Sequence, residues 1–181
     1  MKIEVFPFKN ETDVDIIMKL KEWWKPIGSL VVMEHVWAMP GQNLNQMKMV
    51  SNHNLVKGAM IADARYDPTL HIIPAKWQQH YNLGNVYTGN VSKTKAYQMR
   101  KKAFWEAAKK KFPNETILKS TADAFLIALY AFETQPHHPT YIGIDPGISG
   151  CAVKLIPEMH FSEIGHYPGL GFVCQEDDFD V

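Results

Sequence analysis

Three carboxylates in this chain stand where acidic side chains can do chemistry. Glu34 and Asp145 each end a short apolar run, and Asp123 falls in the first turn of an apolar helix. Acidic side chains at the ends of buried strands converge easily at one edge of a sheet, and clustered carboxylates repel one another unless a cation neutralises them. Mg²⁺ and Mn²⁺ prefer such oxygen ligands, and a pair of these ions can activate water and stabilise the departing oxygen of a phosphodiester.

Each carboxylate also has a purely local explanation. Asp145 opens an Asp-Pro-Gly sequence, in which Asp is an ordinary turn residue. Glu34 can be a strand-end residue that reaches water. Asp123 stands three residues after Ser120, a spacing typical of helix capping. Spacing alone therefore leaves the convergence of the three open.

Positive charge is concentrated in one part of the chain. Residues 93–119 contain nine Lys or Arg but only two acidic residues, while residues 176–181 are mostly acidic and bring the formal net charge to zero. The first five of these cations occur with no acid among them, which favours a face that neutralises nucleic-acid phosphates over a merely solvated helix. These five are Lys93, Lys95, Arg100, Lys101 and Lys102.

Apolar periodicity and turn residues predict strands that alternate with helices, and therefore one α/β domain over residues 1–181. In the first helix, Val14, Ile17 and Met18 recur at helical spacing. Residues 133–140 form a stiff polar linker. The predicted strands are 2–8, 30–34, 70–73, 141–144, 151–156 and 161–165, and the predicted helices are 12–24, 44–62, one that opens at Pro74, 92–112 and 120–132.

The cysteine content and the lengths of the apolar runs bear on the cellular compartment of the protein. Two cysteines, Cys151 and Cys174, are too few for a disulfide framework and predict free thiols. No apolar run approaches membrane-spanning length, and the first residues lack a signal-peptide pattern. We therefore expect a soluble cytoplasmic protein, in the host cell if the source is viral. His53 has no partners at metal-ligand spacing, which predicts a surface histidine.

Four segments resemble the RuvC-type Holliday-junction resolvases of the RNase H-like superfamily. YIGIDPGISG at 141–150 resembles the family's opening strand with its Asp-Pro-Gly, and VVMEHVWAMPGQ at 31–42 resembles its apolar strand with Glu and Met-Pro-Gly-Gln. IPAKW at 73–77 resembles the family's Pro-x-Lys-Trp segment, and TADAFLIALY at 121–130 resembles its final Ala-Asp-Ala helix.

Their order differs from that of the family, in which the Asp-Pro-Gly strand comes first and the Ala-Asp-Ala helix comes last. Here the helix precedes the strand, separated from it by the polar linker at residues 133–140. The simplest account is a circular permutation in which this linker joins the family's last helix to its first strand. Permutation is tolerated when the old ends lie close together and the new ends fall in a surface loop.

The resemblance implies a set of site residues. Asp145, Glu34 and Asp123 would be the catalytic carboxylates, with Asp145 bridging two Mg²⁺ or Mn²⁺ ions. Many family members carry a further acidic residue or His where this chain has Ser120, so the fourth ligand is missing. Lys119 or His35 could take a supporting role instead.

Two further side chains are candidates for contacts with DNA. Lys76 would be a supporting cation near the scissile phosphate, and the alternative is an exposed Lys in the first turn of a helix. Trp37 would stack on an unpaired base at the crossover, and the alternative is ordinary packing.

The function implied is a structure-specific endonuclease that cuts four-way or branched DNA. Because a symmetric junction needs two matched cuts, we expect a two-fold homodimer, with the 44–62 helix as the dimer face by family resemblance. Two alternatives stay open. Ser120 allows a junction-binding protein that does not cut, and Gly-Ile-Asp-Pro-Gly also resembles the phosphate loop of actin-like ATPases and sugar kinases.

Overall fold

The computed structural model describes residues 1–25, 28–36, 44–63, 71–84, 91–135, 137–147 and 150–158. The strands are β1 (Lys2–Pro7), β2 (Leu30–Glu34), β3 (His71–Ile72), β4 (Tyr141–Asp145) and β5 (Cys151–Ile156). The helices are α1 (Asp13–Trp24), α2 (Leu44–Ala62), α3 (Pro74–His80), α4 (Lys93–Lys111) and α5 (Ala122–Thr134). The predicted strand at 161–165, Cys174 and the acidic tail lie outside the described residues.

The five strands form one mixed sheet in the order β1-β5-β4-β2-β3. β5 runs antiparallel to both of its neighbours, β1 and β4. β2 runs parallel to both β4 and β3. The α/β architecture predicted from the sequence is therefore confirmed, with β4 at the centre of the sheet.

Helices cover both faces of this sheet. On one face, α4 and α5 pack with Trp77 of α3 against alternate residues of the strands, and on the other face α1 and α2 do so. Because successive side chains of a strand point to opposite faces, Glu34 and Asp145 share the α5 face. None of the described helices is long and apolar enough to cross a bilayer.

The closest approach between helix and sheet occurs where α5 crosses β4. A Cβ atom added to Gly143 would stand 2.2 Å from the backbone nitrogen of Ala128, so only glycine fits at this point of β4. This contact lets the helix lie directly on the strand, with the first turn of α5 near the carboxyl end of β4.

The predicted apolar face of α1 is wrong. Val14 and Met18 are 67% and 63% exposed. The buried side of the helix is formed by Ile16, Leu20, Trp23 and Trp24, which recur at helical spacing. The two tryptophans bury far more apolar surface than Val14 and Met18 could, and this decides which side of the helix faces the sheet.

Candidate active site

A cleft of about 660 Å³ opens at the carboxyl ends of β2 and β4. Glu34, Asp123 and Asp145 all line it, so three separate elements bring their carboxylates to one place. Within the described part of the chain, no three carboxylates converge so tightly that their oxygens all lie within 4.8 Å of one another. The three therefore share a cleft without forming one compact cage.

The buried indole of Trp77 fixes the position of Glu34. Trp77 Nε1 donates a hydrogen bond of 3.0 Å to Glu34 Oε1, and Trp77 itself is fully buried. Burial raises the pKa of Glu34 to about 8, and the negative charge of Asp145 contributes to the rise, while the Trp77 hydrogen bond opposes it. Without a bound metal ion, burial therefore favours the protonated form of this side chain.

Asp145 is only 7% exposed at the end of β4. Its Oδ1 accepts a hydrogen bond of 2.9 Å from the Gly147 backbone, so the side chain also shapes the turn that follows. Burial raises the pKa of Asp145 to about 6, and the charge of Asp123 adds to the rise. Asp145 therefore both stabilises the turn and brings a buried carboxyl group to the cleft.

Asp123 does not cap its helix. The N-cap of α5 is Thr121, whose side chain makes no capping hydrogen bond, and the expected capping pair with Ser120 is not formed. Instead, Lys101 Nζ lies 2.6 Å from Asp123 Oδ2. Asp123 Oδ1 is buried and has no hydrogen-bond partner among the described residues.

Lys101 supplies the cation that faces the carboxylates. It lies on the same side of α4 as the buried Phe104 and Ala108, so its stem packs inward while its amine reaches Asp123. Although burial works against its charge, the charges of Asp123 and Asp145 raise the pKa of Lys101. Lys101 was predicted only as a phosphate contact, since sequence spacing did not show which α4 cation points inward.

The other predicted DNA contacts are spread over different surfaces. Lys95, Arg100 and Lys102 are exposed on α4, and Arg100 also lines the cleft. Lys76 is exposed in the first turn of α3 and is not among the described residues that line the cleft. Lys119 and Ser120 do line it. Trp37 and the side chain of Lys93 lie outside the described residues.

Two side chains that hold the site were not predicted to do so. Trp77 orients Glu34, and the Asn52 amide of α2 donates a hydrogen bond of 3.0 Å to the Gly147 carbonyl in the turn after Asp145. Trp77 belongs to the family-like segment at 73–77, which was a usable sign of its position. Asn52 had no such sign, because its partner is distant in sequence.

The prediction that His53 lies on the surface is wrong. His53 is only 4% exposed and packs against His35 and His71, with ring centroids 5.6 and 5.3 Å away. Burial lowers the pKa of His53 and lowers that of His71 to about 4. His35 therefore joins a histidine cluster rather than the group of carboxylates that line the cleft.

Comparison with known proteins identifies no relative of this chain, so the site is interpreted from its geometry. No family model, curated protein or solved structure matches this chain.

Proposed function

We propose that this chain is a metal-dependent endonuclease with a circularly permuted RNase H-like core, and that it cuts four-way or branched DNA. The observation that carries the proposal is the shared cleft of Glu34, Asp123 and Asp145 beside the basic helix α4. Carboxylates that repel one another beside a cationic surface are suited to binding divalent cations together with a phosphate-bearing substrate.

The order of the strands supports the permuted fold. Followed from β4 through β5 to β1, the sheet is an antiparallel meander, and β2 and β3 then lie parallel to β4 on its other side. An RNase H-like core has this arrangement when β4 comes first. The Met1 ammonium lies 2.5 Å from Glu158 Oε1, so the start of β1 and the end of β5 lie side by side in this antiparallel strand pair.

The residues at the site fit Mg²⁺ or Mn²⁺. The candidate donors Glu34, Asp123 and Asp145 offer only carboxylate oxygens, the ligands that these ions prefer. Asp123 Oδ1 is buried with no partner among the described residues, which costs free energy that a ligand would recover. Two bound ions would supply positive charge for the attacking and departing oxygens of a phosphodiester.

The protein side chains then divide the remaining work. Trp77 fixes the rotamer of Glu34 through its indole hydrogen bond. Lys101 neutralises Asp123 and stands where it can also face a phosphate in the cleft. Arg100, at the cleft, and Lys102, on the exposed side of α4, would bind the DNA backbone without reading its sequence.

A homodimer is part of the proposal because two matched cuts are needed to resolve a symmetric junction. α2 leaves three apolar side chains exposed, Leu44, Met47 and Ile61. Leu44 and Met47 lie about one turn apart at the start of the helix, whereas Ile61 lies near its end, so the three do not form one contiguous patch. The choice of α2 as the dimer face therefore rests on the family resemblance.

The test is cleavage of an end-labelled four-way junction and a matched linear duplex with Mg²⁺ or Mn²⁺. Glu34→Gln should abolish cutting, because it removes a charged ligand and retains an acceptor for the Trp77 indole. The matched control is Glu106→Gln, an exposed α4 residue whose carboxylate lies 3.6 Å from Lys102 and outside the cleft. Paired metal-dependent nicks near the crossover that appear in wild type and in Glu106→Gln, but not in Glu34→Gln, would establish the proposal.

A second candidate function is junction binding without cutting. It is favoured by the Lys101–Asp123 ion pair, which already neutralises one carboxylate, and by Ser120 at the position of a fourth ligand. Tight binding of the junction with no cleavage in either metal would select this function. No preference for the junction over the duplex would exclude both.

A further inference from the structure

Three histidines meet at the edge of the sheet, on the side covered by α2. His35 follows β2, His71 belongs to β3, and His53 lies on α2. One ring nitrogen from each can be chosen so that all three lie within 4.8 Å of one another. Two strand ends and one helix, separated in sequence, therefore present their imidazoles to one point.

The backbone fixes two of these histidines relative to each other. The His35 amide donates a hydrogen bond of 2.8 Å to the Ile72 carbonyl, which continues the parallel pairing of β2 with β3. His71 is the cross-strand partner of Met33, a residue of the α1 and α2 face. The histidine cluster thus lies on the opposite side of the sheet from Glu34, whose partner in β3 is Ile72 of the α5 face.

His53 provides the observation that points to a ligand. It is 96% buried, and its Nε2 has no hydrogen-bond partner among the described residues. Its Nδ1 lies 3.4 Å from Asn54 Oδ1, a long hydrogen bond in which Nδ1 is the donor because the amide oxygen can only accept. In this tautomer Nε2 carries a lone pair, as a metal-binding imidazole requires.

We propose that His35, His53 and His71 bind one transition-metal ion, with Zn²⁺ as the best fit. Imidazole nitrogen selects Zn²⁺, Cu²⁺ or Ni²⁺ over Mg²⁺, which prefers oxygen. Zinc–nitrogen bonds of about 2.0–2.1 Å in tetrahedral geometry place neighbouring ligand atoms about 3.4 Å apart. Nitrogens that lie within 4.8 Å of one another would have to approach by at most about 1.4 Å to reach that spacing. Three protein ligands leave the fourth position for water or another small ligand.

A metal at this point would tie α2 to the ends of β2 and β3. His53 is adjacent to Asn52, whose amide holds the turn after Asp145. The ion would therefore stabilise the helix that supports this turn, without being part of the carboxylate cleft. This inference is independent of the proposed nuclease activity.

The test is zinc binding to the tag-free full chain, measured by competition with a chromophoric chelator in excess Mg²⁺ to saturate oxygen sites. We expect one tightly bound Zn²⁺ per chain, and about 100-fold weaker binding in His53→Gln and in His71→Gln. His80→Gln is the matched control, because His80 pairs with Glu133 away from the cluster and should leave affinity unchanged. Glu34→Gln should also leave it unchanged, which separates this site from the carboxylates.

Co²⁺ substitution in the wild-type chain makes the test independent of whether the variants fold. A site of three imidazoles and water should give the intense visible absorption of four-coordinate cobalt. Weak absorption like that of the hydrated ion would overturn the proposal. Equal zinc affinity in wild type and both cluster variants would also overturn it and would leave a packed group of neutral histidines.

Discussion

In the absence of divalent cations, Glu34 and Asp145 should lower the free energy of unfolding as pH rises. This is the reverse of ordinary acid denaturation. Burial holds the pKa of Glu34 at about 8 and that of Asp145 at about 6, against ordinary values of 4.5 and 3.8. At these two side chains the folded state therefore binds more protons than the unfolded chain between the ordinary and the raised pKa, and stability falls where that is so. The lowered pKa values of His53 and His71 act in the opposite sense below about pH 6.5, so the fall due to Glu34 should dominate between about pH 6.5 and pH 8.

The magnitude follows from the pKa of Glu34. At about 1.4 kcal/mol per pH unit, the rise from 4.5 to about 8 sets a ceiling of about 5 kcal/mol for the loss of unfolding free energy. Because water entry and relaxation of the open cleft reduce the cost of the charge, we expect about 3 kcal/mol. For a chain of this size, that corresponds to a decrease in Tm of roughly 6–12 °C.

The measurement is urea denaturation in a chelator, repeated at intervals from pH 5 to pH 9. The contribution of Glu34 is complete only below its ordinary pKa of 4.5, so most of it should remain at pH 5 and it should be lost by the time pH has passed through 8. Glu34→Gln removes the titrating group, so its unfolding free energy should change less with pH and exceed that of wild type near pH 8.5. Glu106→Gln serves as the control, because this exposed carboxylate should leave the pH profile of wild type intact.

Saturating Mg²⁺ should restore most of the lost stability at pH 8.5 in wild type, because an ion that binds only the folded state stabilises it by mass action. Glu34→Gln should gain much less. The reasoning would be refuted if the difference in unfolding free energy between Glu34→Gln and wild type in the chelator did not grow from pH 5 to pH 8.5, since Glu34 would then be solvated or paired. A Mg²⁺ effect of equal size in both proteins would place the ion elsewhere.

Three other perturbations test separate parts of the structure. Trp77→Phe removes the hydrogen bond that lowers the pKa of Glu34, so the acid limb of the pH–rate profile for junction cleavage should move to higher pH. Gly143→Ala should prevent folding, as judged by circular dichroism, because the added Cβ atom would overlap the α5 backbone. In the control Gly58→Ala, the added Cβ atom meets nothing within 4 Å, and this change should stabilise α2 by about 1 kcal/mol. Replacing three exposed cations by Gln should reduce the slope of log affinity for junction DNA against log salt by about 3, and an unchanged slope would place the DNA elsewhere. These cations are Lys95, Arg100 and Lys102.

Much of the fold follows from local sequence. The apolar runs that end in Glu34 and Asp145 became β2 and β4, and the predicted 44–62 helix has the bounds of α2. Local patterns succeed here because a strand buried on both faces must be apolar throughout, and because Pro and Gly stop such runs. Glu34 and Asp145 lie in one cleft because β2 pairs in parallel with β4, which places the carboxyl ends of the two strands side by side. Asp123 joins them because α5 packs directly on β4.

The identity of the inward cation did not follow from the sequence. Lys76 and Lys101 are both lysines near segments that carry the site, and nothing in their neighbours separates them. The difference arises from packing: α4 turns Phe104 and Ala108 toward α5, and Lys101 shares that side of the helix. Lys76 lies on the exposed side of α3, where burial of Trp77 sets the orientation.

The histidine cluster escaped prediction for a related reason. Metal sites are found from sequence when the ligands recur at short, regular spacing, as in zinc fingers. Here His53 lies 18 positions along the chain from each of its partners, and the three meet only because β3 pairs with β2 and α2 covers their ends. No local pattern contains that information.

The two proposed metal sites share one structural cause. Glu34 and His35 are consecutive at the end of β2, and alternation along a strand sends consecutive side chains to opposite faces of a sheet. Carboxylates gather with Glu34 on the α5 face, whereas imidazoles gather with His35 under α2. Because oxygen ligands select Mg²⁺ and imidazoles select Zn²⁺, a single strand end can separate two ions by chemistry as well as by position. Zinc bound on one face should therefore change the Mg²⁺ affinity of the other face only indirectly, through the position of β2 and through the α2 helix that supports the turn after Asp145.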